Sequence, residues 1–183
     1  MKPRLRDPLR LDVEAFAKDG GRLEGRWPLS GFERLLASAH PEQPPGPADE
    51  VAWRAEAELR PVRGGAGQVW LHLTGEARLA LECQRCLQPV PQTLAVRRSF
   101  LFAPDEATAA RADADSEDDV LVLTRALNLH ELLEDELILA LPLVPRHVAC
   151  PEPLAKPARA EPEPEQRPNP FAALAALKRG GPH

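Results

Sequence analysis

An apolar residue at every second position marks four stretches in the middle of this chain. This alternation constrains the fold more than any other feature. The four stretches are residues 51–59, 69–73, 77–83 and 93–102. A period of two places the apolar side chains on one face of an extended strand. The sequence therefore predicts an antiparallel meander with one buried face, in which Thr74 and Gly75 form a tight turn.

Helical signals flank the predicted meander. Asp12 is expected to cap a short helix that ends at Gly20, and residues 31–39 are expected to form a second helix. After the meander, Asn128 precedes a strong helical pattern and Glu131 follows it by three residues, which is the spacing of a capping box. The buried side of this last helix is predicted to consist of Leu129, Leu132, Leu133, Leu137 and Leu141.

Two short strands and two acidic regions complete this part of the chain. Residues 22–27 alternate and predict a strand, and residues 120–123 predict a short return strand. The stretch 103–119 is rich in Ala and Asp and has little apolar periodicity, so it is predicted to be a solvated loop. The carboxylates of the last helix are also expected to form a solvated polar side. They are Glu131, Glu134, Asp135 and Glu136.

The pattern as a whole predicts an α+β fold, in which an antiparallel β meander has flanking helices and a tethered helix follows at the C-terminus. Residues 1–150 are predicted to form a single domain, and residues 151–168 a linker rich in Pro and Glu. Residues 169–179 are predicted to form the short C-terminal helix. Such a helix is marginal alone, so its apolar stripe is expected to enter a groove on a partner. The stripe consists of Phe171, Leu174 and Leu177.

Charge and composition argue against several classes of protein. The net charge is −5, aromatic residues make up 4% of the chain, and tyrosine is absent. A protein that coats nucleic acid needs a basic surface and aromatic stacking platforms, so this class is disfavoured. No apolar run reaches the length of a membrane span, and no apolar region follows the basic N-terminus as in a signal peptide. With three cysteines, we expect a soluble protein of the reducing cytoplasm that makes no membrane contact.

The cysteines form the most distinctive chemical pattern. Cys83 and Cys86 have the spacing C-x-x-C, and His147 and Cys150 are the other place where these two residue types stand together. Three thiolates and one imidazole are a common zinc-binding set, and four protein ligands leave no position for a catalytic water. One interpretation is therefore a structural zinc site. Three reduced thiols without a metal are the alternative.

A thiol-disulfide redox protein using Cys83 and Cys86 is the alternative function. Arg85 between the two cysteines favours a thiolate. Redox motifs of this type require a helix after the pair, however, and Pro89 and Pro91 oppose a helix there. The other histidines are isolated in the sequence, and they are His40, His72, His130 and His183. We therefore predict a protein that is not an enzyme and has no small-molecule substrate.

Three further motifs are specific as a set. They are Leu-Glu-Cys-Gln-Arg-Cys-Leu at 81–87, the acidic helical run into Leu-Pro-Leu-Val-Pro at 132–145, and Pro-Asn-Pro-Phe-Ala-Ala-Leu at 168–174. Together they resemble the YceD family of bacterial proteins. Some members of this family carry a second cysteine pair where this chain has His147 and Cys150.

The resemblance implies a non-enzymatic ribosome-biogenesis factor that supports the synthesis, processing or stability of 23S rRNA. It implies partners among the large-subunit assembly components, either ribosomal proteins or 23S rRNA itself. It assigns no catalytic residues. Because the chain is acidic, we expect any RNA contact to be local and to involve Arg85, Arg97 and Arg98.

Overall fold

The structure, a computed structural model, describes residues 6–65 and 67–151. Its elements are α1 (Val13–Lys18), β1 (Arg22–Pro28), α2 (Glu33–Leu36), β2 (Glu50–Arg60), β3 (Gln68–Glu82), β4 (Pro89–Ala103), α3 (Glu106–Asp115), β5 (Asp119–Val122) and α4 (Leu129–Leu139). The strands form one sheet in the order β1-β2-β3-β4-β5. The first three pairings are antiparallel and the last is parallel. The predicted α+β fold with an antiparallel meander is thereby confirmed.

The predicted C-terminal helix at 169–179 lies outside the described residues, as does the predicted linker apart from Pro151. The division of the chain into these segments stays a prediction. In the part of the chain that the structure describes, no helix is long and apolar enough to span a bilayer.

The prediction of a turn at Thr74 and Gly75 is wrong. Both residues lie inside β3, which runs without interruption for 15 residues. A Cβ atom on Gly75 would stand 2.4 Å from Cδ1 of Leu133 on α4, so the glycine allows a close approach of the helix to the sheet. As a result β3 and β4 form one long hairpin, and residues 83–88 are its loop.

The acidic stretch after β4 is a helix, so the prediction of a solvated loop there is also wrong. The side chain of Asp105 accepts a hydrogen bond of 2.8 Å from the N–H of Thr108 and caps α3. Ala109 is buried on this helix. The helix forms the crossover that a parallel pairing requires, which explains why β5 runs parallel to β4 instead of antiparallel.

The core lies between one face of the sheet and the helices α1, α2 and α4. Alternate residues of β2, β3 and β4 are buried, as the period of two predicted. Leu129, Leu133 and Leu137 of α4 are fully buried against them. Each such side chain contributes roughly 1.5–3 kcal/mol by leaving water. The helix is capped by Asn128, whose side chain accepts the N–H groups of His130 and Glu131.

Two of the four carboxylates of α4 are buried, so the prediction of a uniformly solvated acidic side is wrong for them. Glu134 accepts hydrogen bonds of 2.8 and 3.2 Å from the backbone N–H groups of Arg34 and Leu35, at the start of α2. Glu136 accepts a hydrogen bond of 2.9 Å from Nε of Arg98 on β4. These contacts hold α4 against both α2 and the sheet, which positions the segment that follows α4.

Candidate metal centre

The loop between β3 and β4 carries the first half of the candidate site. It is closed by hydrogen bonds from the N–H of Cys83 to the carbonyl of Gln88 (3.0 Å) and from the N–H of Leu87 to the carbonyl of Cys83 (2.9 Å). Cys83 is fully buried and Cys86 half-buried. Among the described residues, Leu87 is the non-glycine residue with a positive φ, at +59°. This conformation costs a residue with a side chain about 1–2 kcal/mol, so other contacts must hold the loop.

The segment after α4 carries the second half. Residues 140–150 form no helix or strand. The N–H of Gln84 donates a 2.9 Å hydrogen bond to the carbonyl of Pro145, which fastens this segment across the β3–β4 loop. His147 and Cys150 follow within five residues and face the cysteine pair.

The four predicted ligands converge on one point. The three sulfurs and one ring nitrogen of Cys83, Cys86, His147 and Cys150 lie within 4.8 Å of one another. Sγ of Cys86 is 3.4 Å from Nδ1 of His147. A tetrahedral zinc site with Zn–S distances of about 2.3 Å separates its sulfurs by about 3.8 Å. The group is therefore the right size for a metal ion, with only small inward shifts of the side chains.

The imidazole of His147 is oriented for metal binding by its second nitrogen. Nε2 lies 3.1 Å from the carbonyl oxygen of Pro89. A carbonyl oxygen only accepts, so Nε2 carries the proton and Nδ1 presents its lone pair to the sulfurs. A hydrogen bond of this kind commonly fixes the tautomer and ring orientation of a metal-binding histidine.

The electrostatics of the group also suit a cation. Burial opposes ionisation of Cys83, but the backbone N–H groups of His147, Arg85 and Cys86 outweigh it and lower the pKa of this thiol from 9.0 to about 5. Burial and the neighbouring Cys86 and Cys83 sulfurs raise the pKa of Cys150 to about 11. One thiolate forms readily while a further one is opposed. A divalent ion at the centre removes this opposition.

The surroundings of the cysteine pair favour a structural metal site over redox chemistry. The four side chains supply four ligand atoms, the number that a tetrahedral zinc site takes, so a metal held by all of them keeps no open position for a substrate. The loop passes directly into β4 at Pro89, whereas a redox pair gains its low thiol pKa from a following helix. The lowered pKa of Cys83 comes from backbone N–H groups of the loop and of His147 instead.

The three arginines predicted for RNA contact lie on different surfaces. Arg85 is exposed on the β3–β4 loop. Arg97 is exposed on the open face of the sheet, about 25 Å along β4 from the loop. Arg98 points to the other face, where it pairs with Asp119 at 3.1 Å and Glu136 at 2.9 Å. The structure does not bring the three together.

One residue of the site carries no signal in the sequence. His40 stands alone in the loop after α2, yet its Nε2 atom lies 3.0 Å from the carbonyl oxygen of Leu87 in the β3–β4 loop. Neither a motif nor a periodic position marks it. The contact depends on β3, because the backbone N–H of His40 donates to the carbonyl of Ala80 on that strand.

Comparison with known proteins gives a consistent match. A family model described as "Large ribosomal RNA subunit accumulation protein YceD" matches residues 71–178. A protein of that name from Haemophilus influenzae is 37% identical over 120 residues, which are 54% of this chain and 59% of the relative. The chain therefore spans less than two thirds of that relative. No solved structure matches. The family match begins in β3 and includes all four residues of the candidate metal centre.

Proposed function

The chain belongs to the YceD family of large ribosomal RNA subunit accumulation proteins, and on this premise we propose that it supports the accumulation of 23S rRNA in bacteria. It acts by binding and not by catalysis, in the synthesis, processing or stability of that RNA. The family match over residues 71–178 is the observation that carries this proposal. A role in ribosome assembly places the protein in the cytoplasm.

The partner is a component of the assembling large subunit, either a ribosomal protein or 23S rRNA. Two of the three arginines predicted for RNA contact are available for it. They are Arg85 on the β3–β4 loop and Arg97 on the open sheet face. Arg98 is engaged by two carboxylates, so it contributes through the fold. The apolar stripe of the tail contributes a second contact, and it consists of Phe171, Leu174 and Leu177.

The proposal includes one structural zinc ion, bound by Cys83, Cys86 and Cys150 through sulfur and by His147 through Nδ1. The convergence of these four atoms supports it. When bound, the ion cross-links the segment after α4 to the β3–β4 loop. The residues around it contribute the Nε2–H bond to the carbonyl of Pro89 and the N–H groups that stabilise thiolate at Cys83. The site then serves the fold and presents Arg85 in a defined position.

The ratio of 23S to 16S rRNA in bacterial cells that lack this protein tests the function. We expect the ratio to fall and to be restored by the wild-type gene. Complementation with Cys83→Ser and with a chain that ends at residue 168 shows whether the metal centre and the tail are required. An unchanged ratio in the deletion strain would contradict the proposed function and reopen the thiol-disulfide alternative.

A further inference from the structure

His40 contacts the β3–β4 loop (residues 83–88, the metal loop) but is not one of the four proposed ligands. It lies in the loop between α2 and β2 and is only 4% exposed. Its Nε2 atom is 3.0 Å from the carbonyl oxygen of Leu87, which follows Cys86 directly. The two residues are 47 positions apart in the chain. This contact joins the metal loop to a separate part of the fold.

Both nitrogens of the His40 ring have defined roles. The carbonyl of Leu87 only accepts, so Nε2 carries the proton and donates to it. Nδ1 accepts a 3.2 Å hydrogen bond from the backbone N–H of Glu42. The backbone N–H of His40 donates to the carbonyl of Ala80 at 2.8 Å. Ala80 stands on β3 three residues before Cys83, so the backbone of His40 is anchored to the strand that leads into the first ligand.

Leu87 is the point in the loop that most needs an external support. Its φ of +59° lies in the left-handed region, which glycine adopts freely and leucine does not. The conformation at this position turns the chain back to β4 immediately after Cys86. If Leu87 relaxed to a negative φ, the direction of the loop at Cys86 would change and the sulfur would leave the other ligands.

We propose that His40 is a positioning residue of the metal centre, which holds Leu87 in its left-handed conformation and thereby keeps Cys86 aimed at the other three ligands. This inference rests on the proposed zinc site and adds a residue that lies outside the family match at 71–178. When a residue supports the ligands through hydrogen bonds without binding the metal itself, its loss typically weakens metal affinity by about 10–100-fold.

The test compares zinc affinities of the purified full chain by competition with a chromophoric chelator. His40→Phe keeps a ring of similar size and removes both ring hydrogen bonds. We expect it to weaken zinc binding by about 10–100-fold. The matched control is His72→Phe, because His72 is half-buried on the open sheet face and contacts Glu58 and Ser99 instead. We expect its zinc affinity to stay within about twofold of the wild type.

A second substitution separates positioning from a general loss of stability. Glycine adopts a positive φ without penalty, so Leu87→Gly removes the need for support from His40. We expect Leu87→Gly to restore most of the zinc affinity that His40→Phe loses. A merely structural role for His40 would leave the loss unchanged in the double variant.

The outcomes are distinct. Unchanged zinc affinity in folded His40→Phe, or no rescue by Leu87→Gly, would overturn the positioning role while the zinc site stands. A wild-type chain that binds no zinc would overturn both, and the rRNA assay would still report on the function. If His40→Phe does not fold, His40→Met replaces it, because its flexible apolar side chain fills a similar space without a ring donor. A loss of about 10-fold or more that Leu87→Gly reverses supports the role. Unchanged affinity, or a loss that Leu87→Gly does not reverse, overturns it.

Discussion

The loop that carries Cys83 and Cys86 joins two strands of 15 residues each, whereas the segment that carries His147 and Cys150 belongs to no regular element. The first half of the site is held by the β3–β4 ladder. The second half begins where α4 ends and has one backbone hydrogen bond to the loop, from Gln84 to Pro145.

The difference extends to the apolar side chains. Leu81 and Val90, which face each other across the two strands next to the loop, are buried. In the segment after α4, the residues Leu143 and Val148 are fully exposed. The core therefore contributes much to the first half and little to the second. A bound metal stabilises most where the chain itself supplies the fewest contacts, so on the zinc proposal we expect the second half to depend on the ion.

The largest expected effect comes from removing a ligand. Cys86→Ser should lower zinc affinity by more than roughly 100-fold, because the metal loses a thiolate ligand. This exceeds the effect of removing a residue that only supports the ligands through a hydrogen bond. Elemental analysis of the full wild-type chain should find one zinc per chain, and chelator competition measures the affinity of the variant. Ser99→Ala on the open sheet face is the control. Equal zinc content and affinity in Cys86→Ser would contradict the ligand assignment.

Chelation should also separate the two halves in hydrogen exchange. We expect the N–H of Gln84 to exchange faster without metal, while the β3–β4 ladder keeps its protection. Faster exchange throughout the ladder would show that the first half depends on the ion as well.

The next largest effect distinguishes the packed helix from the segment that follows it. Leu133 is fully buried against Gly75, so Leu133→Ala should lower the free energy of unfolding by about 2–5 kcal/mol. The matched control, Val148→Ala, removes an exposed side chain and should change it by less than about 0.5 kcal/mol. Urea unfolding of the zinc-bound protein measures both. A large loss in Val148→Ala would mean that the second half is packed in a way these contacts do not indicate.

The last expected effect concerns pH in the metal-free protein. The pKa of Cys83 is depressed from 9.0 to about 5, so between these values the unfolded chain binds a proton that the folded chain does not. Stability from this thiolate is therefore present above pH 9 and is lost as the pH falls through 5. The raised pKa of Cys150 acts in the opposite direction between pH 9 and about 11.

Thermal unfolding of chelated protein measures this dependence. We expect Tm to rise from pH 5 to pH 9 in the wild type and to rise less in Cys83→Ser. The same slope in both proteins would show that the thiolate of Cys83 is not its source.

Local patterns predicted much of this fold correctly. The alternation from Val51 to Phe102 identified the sheet and its buried face, and Asn128 marked the start of α4. The errors have a common cause. In the sequence Gly75 is typical of a turn, but in the structure it lies inside a strand and leaves space for Leu133. Glu134 reads as solvated, but it accepts N–H groups of α2.

By itself the sequence determined the periodicity, the caps of α1 and α4, the four candidate ligands and the family, because each depends on residue types at short spacing. Only the tertiary structure decided that Cys86 and His147 stand 3.4 Å apart, that Arg97 and Arg85 lie far from each other, and that His40 reaches Leu87. These facts depend on strand register and on the crossing of distant segments. Contacts of that kind are set by the packing of the whole core, and no short stretch of sequence contains them.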